Sequence, residues 1–341
     1  MDTLFQWTVI GAGPAGIASI GQLIDAGVTP NQIAWIDPTF TVGDFATVWK
    51  RVLSNTPVES FMKFYTAFEA FEFNSKHEKF MIEQMKPMLS CPLMVAAQPL
   101  KWITKQLQTK VASFVGSAHK LTPAKNSWQI SLMSGHKINT KKVIIAIGAE
   151  AKTLPHANLE VISLKTASDP AQLKKQITSD DCVAVFGSYQ SAKTVEEGLM
   201  ATNVKKVIHF YRSERSFNRH VGGLELPDKV SPTPMTPANL IKYIPECNKV
   251  IYAVGFERRH ISIEGLAEDY TYNTTTGQIA PGVYGLGIAF PEVVPYTNGR
   301  REYKVTAIWP FMKHLQKVFP IWMADEEQPA SRQTTSETVV L

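Results

Sequence analysis

The sequence lacks several features that would define other classes of protein. It has three cysteines, Cys91, Cys182 and Cys247, and no CxxC, which argues against a redox-active dithiol motif or a zinc ribbon. It has no apolar run of about eighteen residues, so no segment is expected to span a membrane. No signal peptide is expected, and free thiols suit a reducing compartment, so we predict a cytoplasmic protein.

Strong charge and metal-ligand motifs are also missing. The formal net charge is +5 over 341 residues, which does not indicate a nucleic-acid-binding protein. The eight histidines form no HExxH or other ligand cluster, so no metal site is predicted. The order of serines, histidines and acids predicts no catalytic triad, and the catalytic residues stay unknown.

The first forty residues contain the strongest positive signal. A short apolar run at 8–10 is followed by a complete G-x-G-x-x-G at 11–16, a helical pattern at 17–24, a second apolar run at 33–36 and then Asp37. This order is typical of a dinucleotide-binding unit. Gly11 would permit the tight turn, Gly13 the close approach of a diphosphate, and Gly16 the packing of helix on strand. Asp37 is expected to accept hydrogen bonds from the adenosine ribose.

The same pattern recurs in the second half of the chain. An apolar run at 183–186 ends at Gly187-Ser188-Tyr189-Gln190-Ser191-Ala192, a helix follows to about residue 201, and the next strand ends on Arg212. The spacing from Gly11 to Asp37 is 26 residues and that from Gly187 to Arg212 is 25. An internal duplication of a nucleotide-binding unit explains this similarity.

The remaining segments complete two α/β domains, the second inserted into the first. We predict a helix at 99–115, a short strand at 114–118, a hairpin with its turn at 134–136, and a buried strand ending on Gly148. The strand at 250–256 repeats that ending, a short strand is predicted at 282–289, and a closing helix at 305–318 is interrupted by Pro310. The Pro-rich stretch 226–237 is interpreted as a rigid connection, and 326–341 as a disordered polar tail.

Residues 38–90 are irregular and rich in aromatic residues, and the pattern permits two interpretations. They could pack as a small core of their own, or they could cover a flat aromatic ligand. Short basic clusters at 258–260 and 300–301 are interpreted as solvated faces, with a pyrophosphate-steering role as the alternative. His220 is interpreted as an exposed loop residue, with a contact to substrate or cofactor as the alternative.

Taken together, these motifs resemble the two-dinucleotide-binding-domain flavoproteins, and within them the flavin-containing monooxygenase and N-hydroxylase branch. The resemblance covers about residues 5–320. It rests on residues 11–16, Trp49 with 54–57, 146–149, Gly187 with Ser191 and Ala192, 253–256 and 285–287. It implies two Rossmann-type, three-layer domains: FAD-binding parts at 1–152 and 259–325, and an NAD(P)-binding part at 153–258.

The resemblance also implies the cofactor contacts. FAD would be held by the first unit, the Trp49 and Asn55-Thr56 region, the crossover at 146–148 and the segment 285–289. NADPH would be held by the second unit, and NADPH is preferred over NADH because Arg212, with Arg215 nearby, could pair with a phosphate. The complete set of predicted cofactor contacts is Gly11, Gly13, Pro14, Ala15, Gly16, Asp37, Pro38, Trp49, Asn55, Thr56, Ala118, Ala146, Ile147, Gly148, Gly187, Ser188, Ser191, Ala192, Arg212, Arg215, Gly255, Gly287 and Ala289.

Three departures from the family pattern leave the function open. Tyr189 stands where the second glycine of the second motif belongs, residues 161–166 contain no histidine fingerprint, and the chain is short for a full monooxygenase. One hypothesis is an NADPH-dependent FAD oxidoreductase acting with molecular oxygen on a small nucleophilic substrate such as an amine or thioether. The alternatives are a flavin-binding regulatory or interaction protein with weakened reductase activity, and a plain NADPH:acceptor reductase. The sequence names neither the substrate nor the oligomeric state.

Overall fold

The structure is a computed structural model that describes residues 3–76, 78–155, 159–221, 226–295 and 302–325, without the side chains of His220, Glu302 and Tyr303. The predicted polar tail at 326–341, Gly222, Gly223 and the basic pair at 300–301 therefore lie outside the described residues.

The elements alternate between strands and helices through most of the chain. The strands are β1 (Leu4–Ile10), β2 (Ile33–Asp37), β3 (Ala112–Val115), β4 (Ala118–Ala124), β5 (Ser127–Leu132), β6 (Lys137–Ile145), β7 (Ala149–Ala151), β8 (Glu160–Val161), β9 (Cys182–Gly187), β10 (Lys206–Tyr211), β11 (Val230–Pro234), β12 (Lys249–Ala253), β13 (Phe256–Arg258), β14 (Ser262–Ile263), β15 (Gln278–Ala280), β16 (Val283–Gly285), β17 (Glu292–Pro295) and β18 (Glu302–Val305). The helices are α1 (Pro14–Asp25), α2 (Gly43–Ala46), α3 (Val58–Tyr65), α4 (Leu93–Lys110), α5 (Leu164–Ala167), α6 (Pro170–Gln176), α7 (Gln190–Met200), α8 (Glu214–His220), α9 (Pro237–Tyr243) and α10 (Ile308–Ala324).

The first sheet contains a parallel core with the strand order β3-β2-β1-β6-β16. The first half of β6 pairs antiparallel with β5, and the second half pairs parallel with β16. One face is covered by α1, α3, α4 and α10, and the other by apolar residues of β4, β5 and the segment 261–270. Because both faces are buried, the central strands are almost continuously apolar.

The second sheet is entirely parallel, with the order β11-β10-β9-β12-β8. Its four strands β11-β10-β9-β12 repeat the arrangement of β3-β2-β1-β6, as an internal duplication requires. Apolar clusters cover both of its faces. The antiparallel pair of β7 and β13 forms the double crossover between the two sheets. The predicted α/β fold with two Rossmann-type domains, one inserted into the other, is confirmed at the level of the sheets.

Two of the predicted helices differ from the observed ones in their bounds and in the effect of proline. The helix predicted at 99–115 begins at Leu93, contains Pro99 and ends at Lys110, so residues 112–115 form a strand instead. Pro310 does not interrupt the closing helix, because it lies in the first turn of α10, where no N–H is needed. That helix also continues through Pro320 to Ala324.

Two further expectations need correction. The Pro-rich stretch 226–237 is not only a connection, because it contains β11, an edge strand where a proline is tolerated. The second hairpin strand and the buried strand ending at Gly148 are one strand, β6. In the segment 38–90, Phe61, Phe64 and Phe71 are buried in the main core of the first domain, with α1, α4 and α10, and not in a small core of their own.

Candidate functional site

The three glycines of the first turn have three different environments. Gly11 has a φ of +108°, and a Cβ there would lie 2.4 Å from the Ala146 carbonyl oxygen. A Cβ on Gly16 would lie 1.8 Å from the Gly11 carbonyl oxygen, so this glycine lets α1 pack on the turn. A Cβ on Gly13 would meet no protein atom within 4 Å, and its φ is −74°. The fold therefore requires Gly11 and Gly16, whereas the space beside Gly13 is open to a ligand.

Asp37 organises the backbone around this turn. Its Oδ2 accepts a hydrogen bond from the Ala12 N–H at 2.7 Å, and its Oδ1 accepts from the N–H groups of Thr39 at 2.8 Å and Phe40 at 2.7 Å. The carboxylate is buried, with an exposed fraction of 6% for the residue. Asp37 thus joins the glycine turn to the loop after β2, a structural role that the sequence did not indicate. Its predicted contact with ribose stays a prediction.

The turn opens into a cavity of about 830 Å³. This volume lies at the upper end of the range for small-molecule sites. The walls come from both units: the glycine turn and the crossover of the first, the loop 37–56, and the start of α7 in the second. The predicted contacts that line it are Gly11, Gly13, Pro14, Ala15, Asp37, Pro38, Trp49, Asn55, Thr56, Ala118, Ala146, Ile147, Gly148, Ser191 and Gly287.

The other predicted contacts lie outside this lining. Gly16 is packed against the turn itself, and Ala289 is buried next to the lining residue Ile288. In the second unit, Gly187, Ser188, Ala192 and Gly255 are at the ends of β9 and β12 or in α7, away from the lining. Arg212 and Arg215 are exposed, after β10 and in the first turn of α8 respectively.

The loop after β2 supplies residues that the sequence analysis missed. Phe40 and Val42 have φ values of +50° and +67°, a conformation that costs free energy in non-glycine residues and often occurs at functional sites. Asp44, in α2, forms an ion pair with Arg259, whose Nη1 also donates to the Ile147 carbonyl at 3.4 Å. Arg259, His260 and Asp44 line the cavity, so part of the basic cluster at 258–260 faces the site.

Arg258, the third member of that cluster, has a packing role. Its guanidinium lies 4.4 Å from the ring centroid of Tyr270 and 5.0 Å from that of Phe290, and it donates to the Tyr270 carbonyl at 2.7 Å. The interpretation as a solvated face is therefore wrong for Arg258, whereas His260 is exposed. No local sequence signal could have separated Arg258 from Arg259, because their partners are distant in the chain.

The second glycine turn reproduces the backbone of the first. Gly187 has a φ of +143°, and a Cβ there would lie 2.3 Å from the Ala253 carbonyl oxygen, as Gly11 does with Ala146. The Trp35 Nε1 donates to the Gly11 carbonyl at 2.9 Å, and the His209 Nε2 lies 3.0 Å from the Gly187 carbonyl oxygen. The register agrees, since Trp35 pairs with Val9 and His209 pairs with Val185, each two residues before the glycine.

The start of α7 differs from the other helices of the second domain. In the described residues between 159 and 258, the side chains of Ser163, Asp169, Ser213 and Thr236 cap α5, α6, α8 and α9. In contrast, α7 begins after Tyr189 with no side-chain cap. The N–H groups of its first turn are left for another acceptor, and the helix dipole favours an anion there.

The start of α1 has the same property. Its N-cap, Gly13, provides no side chain, and Pro14 and Ala15 line the cavity. Gln190, Ser191 and Thr194 of α7 line the same cavity. The uncapped starts of α2 and α10 line this cavity as well, but only α1 and α7 begin at the two glycine turns. Two such starts at one cavity suit two diphosphate-containing ligands. The open space at Gly13 fits the diphosphate of FAD.

Tyr189 occupies the place of the second glycine in this turn. Its side chain is 64% exposed, and its hydroxyl lies 3.5 Å from the Ser216 Oγ in α8. The tyrosine therefore joins the glycine turn to the helix that follows Arg212. A dinucleotide bound across α7 would meet this side chain.

Two kinds of feature are absent from the part of the chain that the structure describes. No group of three or more histidine, cysteine or acidic residues with a geometry for metal binding occurs in this part of the chain. No described helix is both long and apolar enough to cross a bilayer.

Comparisons with known proteins agree with this geometry. Residues 8–150 match a family model described as FAD-NAD(P)-binding. The monooxygenase AgnR1 of Paecilomyces divaricatus is 25% identical, over 93% of this chain and 97% of the relative.

Solved structures share the fold. A flavin-containing monooxygenase from Stenotrophomonas maltophilia superposes with a TM-score of 0.56 at 15% identity, covering 95% of this chain and 99% of that chain. A thioredoxin reductase from T. acidophilum gives 0.56 at 13% identity, covering 94% and 98%. A bacillithiol disulfide reductase from Staphylococcus aureus gives 0.57 at 11% identity, covering 95% and 99%.

These findings agree on the fold of the protein. The chain has the two-domain fold of the FAD- and NAD(P)-dependent flavoprotein oxidoreductases. Its first unit, residues 8–150, matches a family model described as FAD-NAD(P)-binding, and the relative named as a monooxygenase is similar over 93% of the chain.

Proposed function

We propose that the protein is an FAD-dependent monooxygenase that takes electrons from NADPH and oxygenates a small nucleophilic substrate. The observation that carries the proposal is the single cavity lined by the uncapped starts of both α1 and α7. A flavin on the first unit and a nicotinamide on the second would be directed toward the same space. Bound FAD would supply the redox chemistry, accepting a hydride and, when reduced, reacting with oxygen.

The residues of the chain would bind and orient the two cofactors. Gly13, Pro14 and Ala15 would hold the FAD diphosphate, and Asp37 the ribose, through the acceptor capacity not used by Ala12, Thr39 and Phe40. Arg259 is within the same cavity, where its charge would favour a phosphate. Trp49 would border the flavin ring and is held by an edge-to-face contact with Phe256 at 5.5 Å.

The proposed division of the chain into domains assigns one cofactor to each glycine turn. We propose FAD-binding parts at 1–152 and 259–325 and an NAD(P)-binding part at 153–258, in agreement with the extents of the two sheets. Arg212 and Arg215 would select NADPH through its 2′-phosphate, because guanidinium groups pair well with phosphates. Both side chains are exposed beside the end of β10 and are therefore accessible to a nucleotide.

Cysteine placement favours oxygenation over disulfide reduction. No cysteine is among the described residues that line the cavity, and Cys91 is buried in the core under α1. A reductase that passes electrons through a thiol pair beside the flavin would need a cysteine in that wall. The relative named as a monooxygenase covers almost the full chain, which supports the same assignment.

Anaerobic reduction tests the proposal. The protein loaded with FAD is mixed with NADPH or NADH without oxygen, and the flavin absorbance is followed. We expect faster bleaching with NADPH, and, after oxygen is admitted with an amine or thioether, an oxygenated product. Formation of peroxide without an oxygenated product would contradict the monooxygenase activity and favour a plain NADPH:acceptor reductase. A flavin that stays oxidised with both nucleotides would contradict any reductase and favour the flavin-binding regulatory protein.

A further inference from the structure

Two of the three cysteines, distant in sequence, are in contact in the second domain. The Sγ atoms of Cys182 and Cys247 lie 3.6 Å apart, although 65 positions separate the residues. Cys182 begins β9, and Cys247 lies two residues before β12. The third cysteine, Cys91, is fully buried in the first domain and belongs to a different apolar cluster. The fold therefore brings together two thiols that no CxxC motif in the sequence indicates.

The backbone holds the two residues side by side. The Asn248 N–H donates to the Cys182 carbonyl at 3.0 Å, and the Cys182 N–H donates to the Asn248 Oδ1 at 2.9 Å. The Asn248 amide also donates to Asp181 Oδ1 at 2.7 Å, which fixes its orientation. Adjacent hydrogen-bonded segments therefore carry the cysteines, and their sulfur atoms, 3.6 Å apart, would have to approach to the roughly 2.05 Å of a disulfide bond.

The two thiols differ in acidity. Either thiol can donate in the contact between the two sulfur atoms, and the Cys247 Sγ also lies 3.6 Å from the Tyr243 carbonyl oxygen, to which it can donate. The contact with Cys247 lowers the pKa of Cys182, burial opposes this change, and the charges of Lys206 and Lys205 lower the pKa further. The contact with Cys182 and burial both raise the pKa of Cys247. A stabilised thiolate beside a protonated thiol is the usual arrangement of an oxidisable pair.

The pair lies near the surface. Both residues are 8% exposed, and they adjoin Lys206 and Glu246, which form an ion pair at 2.7 Å with side chains 37% and 42% exposed. Both cysteines therefore lie directly beneath a half-exposed ion pair. Cys91, by contrast, is 0% exposed.

We propose that Cys182 and Cys247 are a modification site at which peroxide produces a reversible intramolecular disulfide. The Cys182 thiolate attacks one oxygen of hydrogen peroxide, the O–O bond breaks, and the sulfur becomes a sulfenic acid while hydroxide leaves. The sulfur of Cys247 then attacks the sulfur of Cys182, and the S–S bond forms. The second hydroxide leaves and the proton of Cys247 goes to water. In sum, two thiols and one peroxide give one disulfide and two waters, with two electrons passing from sulfur to oxygen.

The disulfide bond would connect the start of β9 with the residues just before β12. At their other ends, β9 ends at Gly187 and β12 precedes Gly255, two of the predicted contacts with the nicotinamide cofactor. Closing a loop of this length restricts the unfolded chain, so the oxidised domain should melt at a higher temperature. The site does not depend on the proposed function, since it requires neither flavin nor nicotinamide.

Peptide mapping of the full-length protein tests the proposal. The native protein is treated with hydrogen peroxide, remaining thiols are alkylated, and the digest is analysed by mass spectrometry with and without dithiothreitol. We expect one cross-linked peptide pair joining Cys182 to Cys247, cleaved by dithiothreitol, with Cys91 still alkylated. Cys91→Ala should keep the cross-link, and Cys182→Ser and Cys247→Ser should each lose it. Three alkylated cysteines after treatment, or a cross-link to Cys91, would overturn the proposal.

A rate comparison separates a prearranged pair from accidental oxidation. Disulfide formation is timed in the folded protein and in the protein unfolded by urea, where 65 intervening positions keep the thiols apart. We expect formation at least about tenfold faster in the folded protein. An equal or slower rate in the folded protein would contradict a site prepared by the fold.

Discussion

The two glycine turns share a backbone but differ in the groups that face a ligand. Gly11 and Gly187 both have positive φ, both pack against a carbonyl of the neighbouring strand, and both have a carbonyl contacted by a ring nitrogen from the next strand. At the ligand-facing position, the first turn has Gly13 with open space, and the second has Tyr189. Both units therefore have the glycine that the backbone of the turn needs. Only the first unit also has the glycine that allows a phosphate to approach closely.

The interiors beneath the turns differ as well. Nine residues after each first glycine, α1 has Ile20 and α7 has Glu196, both fully buried. The His209 Nδ1 lies 3.5 Å from Glu196 Oε1, and neither carboxylate oxygen has a hydrogen-bond partner among the described residues. Trp35 and Ile20 form an apolar support in the first unit, while His209 and Glu196 form a polar one in the second. The second unit is therefore expected to be the less stable of the two.

The largest effect is expected from Gly13→Val. The added side chain would enter the open space beside the turn and weaken FAD binding by about 100-fold, or ~2.7 kcal/mol. The free energy of unfolding of the protein without FAD should change by less than about 0.5 kcal/mol, because a Cβ at this position meets no protein atom within 4 Å. FAD titration and urea unfolding measure the two quantities.

Gly16→Ala is the matched control for this prediction. Its Cβ would clash with the Gly11 carbonyl, so the protein without FAD should be destabilised by roughly 2–4 kcal/mol. If both variants lost FAD and stability together, the distinction between ligand-facing and fold-required glycines would be wrong.

A smaller effect is expected from the double substitution Arg212→Ala with Arg215→Ala. Loss of the guanidinium groups should reduce the preference for NADPH over NADH by about 30-fold, since charge-assisted hydrogen bonds contribute roughly 1.5–3 kcal/mol. The ratio of kcat/KM for the two nucleotides gives the preference. Arg219→Ala, an exposed arginine in the same helix, should leave that ratio unchanged. If Arg219→Ala reduced the preference for NADPH as much as the double substitution does, the effect would come from the net charge and not from contacts of Arg212 and Arg215 with the phosphate.

Tyr189→Gly should make the second turn more like the first. We expect NADPH to bind about tenfold more tightly, a gain of about 1.4 kcal/mol, because its diphosphate can approach the start of α7. FAD affinity should not change. Ser216→Ala removes the partner of the tyrosine hydroxyl and keeps the ring, so it should give little gain. Weaker NADPH binding in Tyr189→Gly would indicate that the tyrosine contacts the nucleotide favourably.

The smallest effect is expected from Glu196→Ile, which places the residue of α1 in α7. Removing a buried carboxyl without hydrogen-bond partners should raise the free energy of unfolding by about 1 kcal/mol at neutral pH. Urea unfolding is the measurement, and Glu196→Gln, which keeps the volume and a polar group, should show a smaller change. A destabilised Glu196→Ile would mean that the pair with His209 supports the second turn.

Local chemistry explains what the sequence could predict. Gly11, Gly13 and Gly16 have spacings that few other structures need, and the runs at β1, β2, β9 and β10 are apolar because both faces of their sheets are buried. These signals lie within about thirty residues of each other. They were sufficient to predict the two units and the insertion of the second into the first.

Contacts between distant segments were not predictable in this way. Arg259 forms an ion pair with Asp44, which is 215 positions away in the sequence, and Cys182 contacts Cys247, which is 65 positions away. Pro99 and Pro320 lie inside helices because packing of α4 and α10 outweighs the local penalty. The structural role of Asp37 could not be predicted, because the groups that donate hydrogen bonds to its carboxylate are backbone N–H groups, which every residue type except proline supplies.

FAD titration of the purified protein tests the central claim most directly. The protein is mixed with FAD, passed through a desalting column and examined by absorption spectroscopy. We predict one FAD retained per chain, with bands in the blue and near ultraviolet, and their loss in Gly13→Val. A colourless wild-type protein after this treatment would contradict the assignment of the first glycine turn as the flavin site.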